Sequence, residues 1–327
     1  MKGLDLCERY YEAYGRPMLA AQFPELVPRI AVGLVGQGSE CLGFDDAIST
    51  DHDYGPGFCL WLTAEDYAAY APALQAAYDA MPKDFLGVEG RIATAQGGGR
   101  VGVLEIHAFY RQFIGSEQPP QSLWRWLHLP EHQLAACTNG RVFSDPLGEF
   151  SAIRQALATY PEDVRIKKIA AHVAIMAQSG QYNYARCMRR GETVAAELAL
   201  RAFIEAAIAT VYLLNHRYTP YYKWMFRGLR ELPVLAQTVA PLIQALAESS
   251  CQRDAWAAQD APDFNPYVNL ADRKVALIED ICTHTLRALQ AQGLTDLDVD
   301  FLEPHAWEIM KRIKDPELRR CHVMEGA

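Results

Sequence analysis

Asp51 and Asp53 stand either side of one imidazole, His52, and eleven residues separate Asp51 from the pair Gly38-Ser39. Side chains two apart on an extended backbone share a face, so the two carboxylates converge on one point. Charges of one sign held that close repel unless a cation lies between them. Hard carboxylate oxygens suit magnesium, which completes its shell with substrate phosphates. Glycines ahead of them let backbone N–H groups approach a phosphate chain, with the Ser39 hydroxyl as an added donor. A third acid is available in Glu105, the only charged residue of Val101-Gly-Val-Leu-Glu-Ile106. An acid in such a core strand is costly unless paired or bound to metal. If that strand neighbours the one carrying Asp51 and Asp53, the three acids form a single site for two metal ions.

These groups need strands to position them, and the pattern supplies short ones. Ile30 to Val35 is an apolar run closed by glycines, which reads as a buried strand, and Gly57 to Leu62 is a second extended segment. Thr63 caps a helix that ends near Met81-Pro82. Arg100 to Phe109 reads as one strand throughout, and a last β-signal lies in Gly140 to Gly148. Leu4 to Tyr14 and Pro17 to Phe23 read as helices. Gly97 to Gly99 matches neither the Rossmann nor the P-loop pattern and reads as a turn. After Phe150 the grammar is helical. Ser151 caps a helix stopping at Tyr160-Pro161, and further helices are expected over Glu162–Ser179, Tyr222–Glu231, Val234–Ala257, Leu270–Gln292 and Phe301–Ile313. Thr193 to Asn215 is apolar on most faces, as expected of a central bundle helix. The expectation is an α+β chain with one domain over residues 1–150 and an all-α bundle over 151–327.

The 327 residues are 50% apolar and 22% charged, which excludes wholesale disorder. A net charge of −9 argues against a broad nucleic-acid surface. The eight cysteines form no Cys-x-x-Cys pair, so they read as reduced thiols of a cytoplasmic protein. The opening residues carry an early acid and no long apolar run, unlike a signal peptide, and no stretch reaches the length of a membrane span.

Gly38-Ser39, the loop of eleven, Asp51-x-Asp53 and a later strand acid together resemble the signature of the polymerase-β-type nucleotidyltransferase superfamily. The segment Leu213-Leu-Asn-His-Arg217-Tyr-Thr-Pro-Tyr-Tyr-Lys223-Trp224 is similar to a helix end and loop in the helical C-terminal domain of the aminoglycoside-nucleotidyltransferase-like branch. The resemblance implies a small mixed sheet with flanking helices, followed by a helical bundle. It also implies magnesium-dependent transfer of a nucleoside monophosphate, AMP from ATP in the first instance, to a hydroxyl of a small molecule or protein. Asp51, Asp53 and Glu105 would then hold two magnesium ions, while Gly38, Ser39, Lys223 and Arg186 would hold the nucleotide. Two departures mark the sequence: His52 replaces an aliphatic residue, and Asp45 and Asp46 add acids to the loop.

The rest is ambiguous in sequence. Lys223 and Arg217 fit a helix C-terminus as well as a phosphate. The run Gln181 to Glu192, with three arginines, fits a pocket or a solvated turn. Glu192, Glu197 and Glu205 are the candidates for a general base. His128 and His132 have metal-like spacing that Pro130 interrupts. An EF-hand reading fails at Gly55 and Leu62, where ligands are needed. The rival functions are a non-catalytic nucleotide-binding module and an antitoxin-like enzyme that adenylylates a partner.

Overall fold

The computed structural model describes residues 1–50, 54–91, 99–257 and 268–327. The chain forms two compact units, Met1–Gln121 with Leu129–Ala158, and Ser122–His128 with Thr159–Ala327.

The first unit opens with helix α1 (Gly3–Tyr10), a π-helical turn and helix α2 (Arg16–Gln22). Strand β1 (Ala31–Leu34) follows, then β2 (Cys59–Leu62), α3 (Ala64–Asp79), β3 (Gly102–Glu105) and α4 (Ile106–Ile114). Helix α5 (Leu123–Leu127) leaves for the second unit, and the chain returns through α6 (Glu131–Thr138), β4 (Arg141–Ser144) and α7 (Glu149–Ala156). The four strands form one mixed sheet in the order β3-β2-β1-β4. β1 is antiparallel to both β2 and β4, and β2 is parallel to β3. This is the expected α+β class, with a small mixed sheet and flanking helices.

β2 has an apolar side chain at every position because both faces of the sheet are covered. Phe58, Leu60 and Leu62 share one core with Tyr10, Leu74 and Tyr78. Trp61 points the other way, stacked on Phe150 at 3.9 Å and edge-on to Phe109 at 5.4 Å. Burying a side chain of this size stabilises by roughly 1.5–3 kcal/mol. Thr63 caps α3 as expected, its hydroxyl accepting the Asp66 N–H at 3.2 Å.

Two expectations for this unit need correction. The strand expected over residues 100–109 stops at Glu105. Ile106, Phe109, Tyr110, Phe113 and Ile114 follow at helical spacing and are buried on one face of α4. Ser151 does not cap α7, which begins at Glu149. The cap is supplied by Asp145, whose carboxylate accepts the N–H groups of Gly148 and Ser151 at 2.9 and 2.8 Å.

The second unit is all-helical: α8 (Glu162–Met176), a π-helical stretch over Ala177–Tyr184, α9 (Ala185–Arg189), α10 (Thr193–Leu214), α11 (Tyr222–Leu229), α12 (Ala236–Glu248), α13 (Arg273–Ala291), α14 (Leu302–Met310) and α15 (Pro316–Arg320). α10 is buried on all sides only from Ala206 to Leu214; its first half is amphipathic. α8 is central and buries Lys167 completely. The Lys167 ammonium donates to the carbonyls of Val323 at 3.0 Å and Glu325 at 2.6 Å, which ties down the C-terminal segment. Lys168 adds a bond to the Gly326 carbonyl at 2.7 Å. Among the described residues no helix is long and apolar enough to cross a membrane, and the cysteines are all free.

Candidate functional site

The strand directions gather one set of chain ends. β1 finishes at the end of the sheet where β2, β3 and β4 begin. Gly36-Gln-Gly-Ser39 leaves β1 there, and the chain enters β2 there through Tyr54 to Phe58. Asp51, His52 and Asp53 lie outside the described residues.

The turn after β1 is held by side chains far away in sequence. Gly36 is buried, and both its backbone groups bond to one carboxamide. Asn139 Oδ1 accepts the Gly36 N–H at 3.0 Å, and Asn139 Nδ2 donates to the Gly36 carbonyl at 2.8 Å. Asn139 stands between α6 and β4, where Arg154 of α7 fixes it. Arg154 Nη2 donates to the carbonyls of Thr138, Asn139 and Gly140 at 2.9, 2.7 and 3.3 Å. Gly140 must be glycine, since its φ is +65° and a Cβ would lie 2.0 Å from the Leu34 carbonyl oxygen.

Inside the turn, Gly38 has φ +133°, and a Cβ there would lie 2.6 Å from Glu40 Oε2. Glu40 is buried and paired with Arg91, Nη1 to Oε1 3.0 Å. Arg91 also donates to Cys7 Sγ at 3.6 Å. Burial raises the Cys7 pKa, so this thiol is a packing group rather than a nucleophile. The Ser39 carbonyl accepts the Phe44 N–H at 2.8 Å, which closes the loop. No partner for the Ser39 hydroxyl occurs among the described residues, and that group is half-buried at the loop surface. The loop acids serve the loop itself. Asp45 caps α1 by accepting the Gly3 N–H at 2.9 Å and faces Lys2 at 3.8 Å, while Asp46 accepts the Ile48 N–H at 3.0 Å. The result is a glycine turn pinned by distant side chains and carrying a half-buried hydroxyl, and glycine-rich turns of this kind can serve as anion cradles.

Glu105 is elsewhere. It ends β3 in register with Leu62, at the far end of β2 from the glycine turn. Leu34 lies level with the residue before Cys59, so at least four strand steps, roughly 13 Å, separate the two levels. The Glu105 carboxylate caps α4, accepting the N–H groups of His107 at 2.8 Å and Ala108 at 2.6 Å. Its burial cost is met by the helix N-terminus. Among the described residues no group of three His, Cys, Asp or Glu side chains is placed to hold a metal ion.

The remaining candidates belong to the helical unit. Lys223 is exposed on α11, its ammonium 5.1 Å from the Trp224 ring centre. Arg186 lies over the Tyr182 ring at 4.7 Å and donates to the Tyr182 hydroxyl at 2.5 Å. Glu197 pairs with buried Lys274, Glu205 pairs with Arg201, and Glu192 is exposed just before α10. The acids of α10 lie on its wet face, which explains their presence in an apolar helix. His128 stacks on Trp124 at 4.3 Å, and His132 begins the next helix, so they share no helix face. Sequence reading missed Asn139, Arg154 and Arg91. Asn139-Gly140 is a turn signal, but nothing local links it to Gly36, more than a hundred residues away.

A family model described as a domain of unknown function (DUF4037) matches residues 126–225, under half of the chain. That segment contains Asn139, Arg154, Arg186 and Lys223, and none of Gly38 to Asp53. No curated protein matches the sequence. Among solved structures, a nucleotidyltransferase-like protein from Exiguobacterium sibiricum 255-15 is similar over 94% of this chain and 81% of its own, at 12% identity and a TM-score of 0.32. At that score the two backbones diverge too far for any residue role to pass from one to the other.

Proposed function

We propose that the chain binds a magnesium–nucleoside triphosphate at the sheet end bearing Gly36 to Ser39 and transfers its nucleoside monophosphate to a hydroxyl. ATP is the first donor to test, and the acceptor is a small molecule or a protein. The observation that carries this reading is the pinned turn. Asn139 holds both backbone groups of Gly36, and the half-buried Gly38 and Ser39 follow it at the end of the sheet where the chain enters β2. The Asp51-x-Asp53 spacing just before that strand supports it.

Asp51 and Asp53 are the residues proposed to hold magnesium, with substrate phosphates completing its shell. Once bound, the ion neutralises phosphate charge and acidifies the attacking hydroxyl. Glu105 is left out, because its carboxylate is spent on α4 at the other end of the sheet. The turn would bind the β- and γ-phosphates through backbone N–H groups and the Ser39 hydroxyl. The acceptor oxygen bonds to the α-phosphorus while the bridging P–O bond breaks, pyrophosphate leaves with that electron pair, and the hydroxyl proton passes to water. Lys223 and Arg186 belong to the helical unit and are left out of this site. A cytoplasmic location goes with the reduced thiols.

The position of Glu105 favours a second reading, a nucleotide-binding module without transfer, because a metal site lacking its third acid binds more readily than it catalyses. A thermal-shift panel of nucleoside triphosphates, with and without magnesium, tests binding. A ligand at about a hundred times its Kd adds about 2.7 kcal/mol and moves the midpoint by a few degrees. A magnesium-dependent shift supports the site, and pyrophosphate release with added acceptors then separates transfer from binding. No shift at saturating concentrations removes both readings.

A further inference from the structure

The helical unit has a pocket of about 350 Å³ lined by Gln181, Tyr182, Val268, Glu279, Asp300 and Phe301. Its volume is at the lower end of the range for small-molecule sites. The walls are apolar. Tyr182, Val268 and Phe301 are 37%, 39% and 36% exposed, far more than bundle-core residues of their type.

One charged group in the pocket has no charge partner among the described residues. Among the described residues Glu279, half-buried on α13, accepts one bond, from Gln181 Nε2 to Oε2 at 2.8 Å. Gln181 is itself fully engaged: Nε2 also reaches the Asp300 carbonyl at 3.2 Å, and Oε1 accepts the Leu302 N–H at 2.9 Å at the start of α14. No cation among the described residues pairs with Glu279. Burial raises its pKa, and its acidic neighbours Asp300 and Asp280 push the same way. Arg186, a cation on the same stretch of chain, is turned to the Tyr182 hydroxyl. A carboxylate left half-buried beside other acids is costly unless something neutralises it.

The local backbone is built for this opening. Gln181 and Tyr182 lie on the π-helical stretch Ala177–Tyr184, where an inserted residue widens the helix. Such insertions are frequent at functional sites. Gly180 lies in the same stretch and lets the Phe203 ring of α10 pack against it, since a Cβ there would lie 2.3 Å from that ring.

We infer that this pocket binds an organic ammonium ion with an apolar body, its charged nitrogen on Glu279 and its body against Tyr182, Val268 and Phe301. The aromatic rings suit the cation as well as the body. The site shares no residue with the turn at the sheet end, so its failure leaves the nucleotide reading untouched.

The test is calorimetric titration of the whole chain with phenethylammonium and with 2-phenylethanol, its neutral counterpart of equal size. The ammonium binds about tenfold or more tightly than the alcohol, about 1.4 kcal/mol. Glu279→Gln removes that preference while leaving the thermal midpoint at or above the wild-type value, since it takes away an uncompensated charge. Phe301→Ala weakens both probes. Equal affinity for the two probes, undiminished ammonium binding in both variants, or no binding up to about 10 mM, where even millimolar affinity registers, would each overturn the assignment.

Discussion

Replacing Asn139 by alanine should loosen the glycine turn without unfolding the sheet, and the structure sets the size of the effect. The side chain makes two bonds, 3.0 Å from the Gly36 N–H and 2.8 Å to the Gly36 carbonyl. Gly36 is buried, so alanine leaves a donor and an acceptor without partners. Each such group costs about 1–3 kcal/mol, and Asn139 is itself half-buried, so water can enter and recover part of the loss. A net cost of about 2 kcal/mol follows. Because the bonds hold the turn rather than the strands, the loss should be local. Amide exchange at residues 36–39 should accelerate by about thirtyfold, with β2 amides little changed. Asn139→Asp keeps the acceptor and loses the donor, so it should fall between. Arg154→Ala acts on the same turn through the carbonyls of Thr138, Asn139 and Gly140, and the double variant should cost at least about 0.5 kcal/mol less than the sum. Unchanged exchange at residues 36–39, or acceleration spread evenly over the sheet, would refute the idea that this carboxamide sets the turn.

Glu105→Gln should cost about 1 kcal/mol through the α4 cap and leave magnesium–nucleotide affinity unchanged, as read by urea unfolding and titration; loss of binding in a folded variant would return this acid to the metal site. Gly33→Ala should destabilise the first unit by about 1–3 kcal/mol, because a Cβ would lie 2.4 Å from the Arg141 carbonyl oxygen across β1 and β4, and an unchanged urea midpoint would contradict that close approach. Burial lowers the Lys167 pKa to about 8 from its ordinary value of 10.5. The unfolded chain therefore binds more protons between those limits, and this residue's contribution to stability rises with pH there. The stability difference, wild type minus Lys167→Met, should grow by up to about 1.4 kcal/mol per pH unit over that window, and a flat difference in urea unfolding would contradict the burial.

The strands near the site were legible because each is a short apolar run bounded by glycine or a cap, and both β1 and β2 formed where the runs lie. α4 was misread because Val101 to Ile106 looks like a strand until Glu105, and only the spacing of Phe109, Tyr110 and Phe113 beyond it reveals the helix. Glu105 carries the same ambiguity. An acid at the end of an apolar run reads as a metal ligand or as a helix cap, and the helix start decides between them. The Gly38-Ser39 turn was legible, since glycine is required where φ is positive. Its supports were not, because Asn139, Arg154 and Arg91 reach it through pairings that only the sheet order creates. The acids of α10 illustrate a further limit: composition suggests burial, but Glu197 and Glu205 face outward because only the second half of that helix is enclosed.

Calorimetric titration of magnesium–ATP into the wild-type chain and into Asp53→Asn tests the central claim most directly. The expected result is binding in the wild type that needs magnesium and is lost in the variant, with both proteins folded by circular dichroism. Equal affinity in the two, or binding in the wild type without magnesium, would contradict a metal–nucleotide site at this end of the sheet.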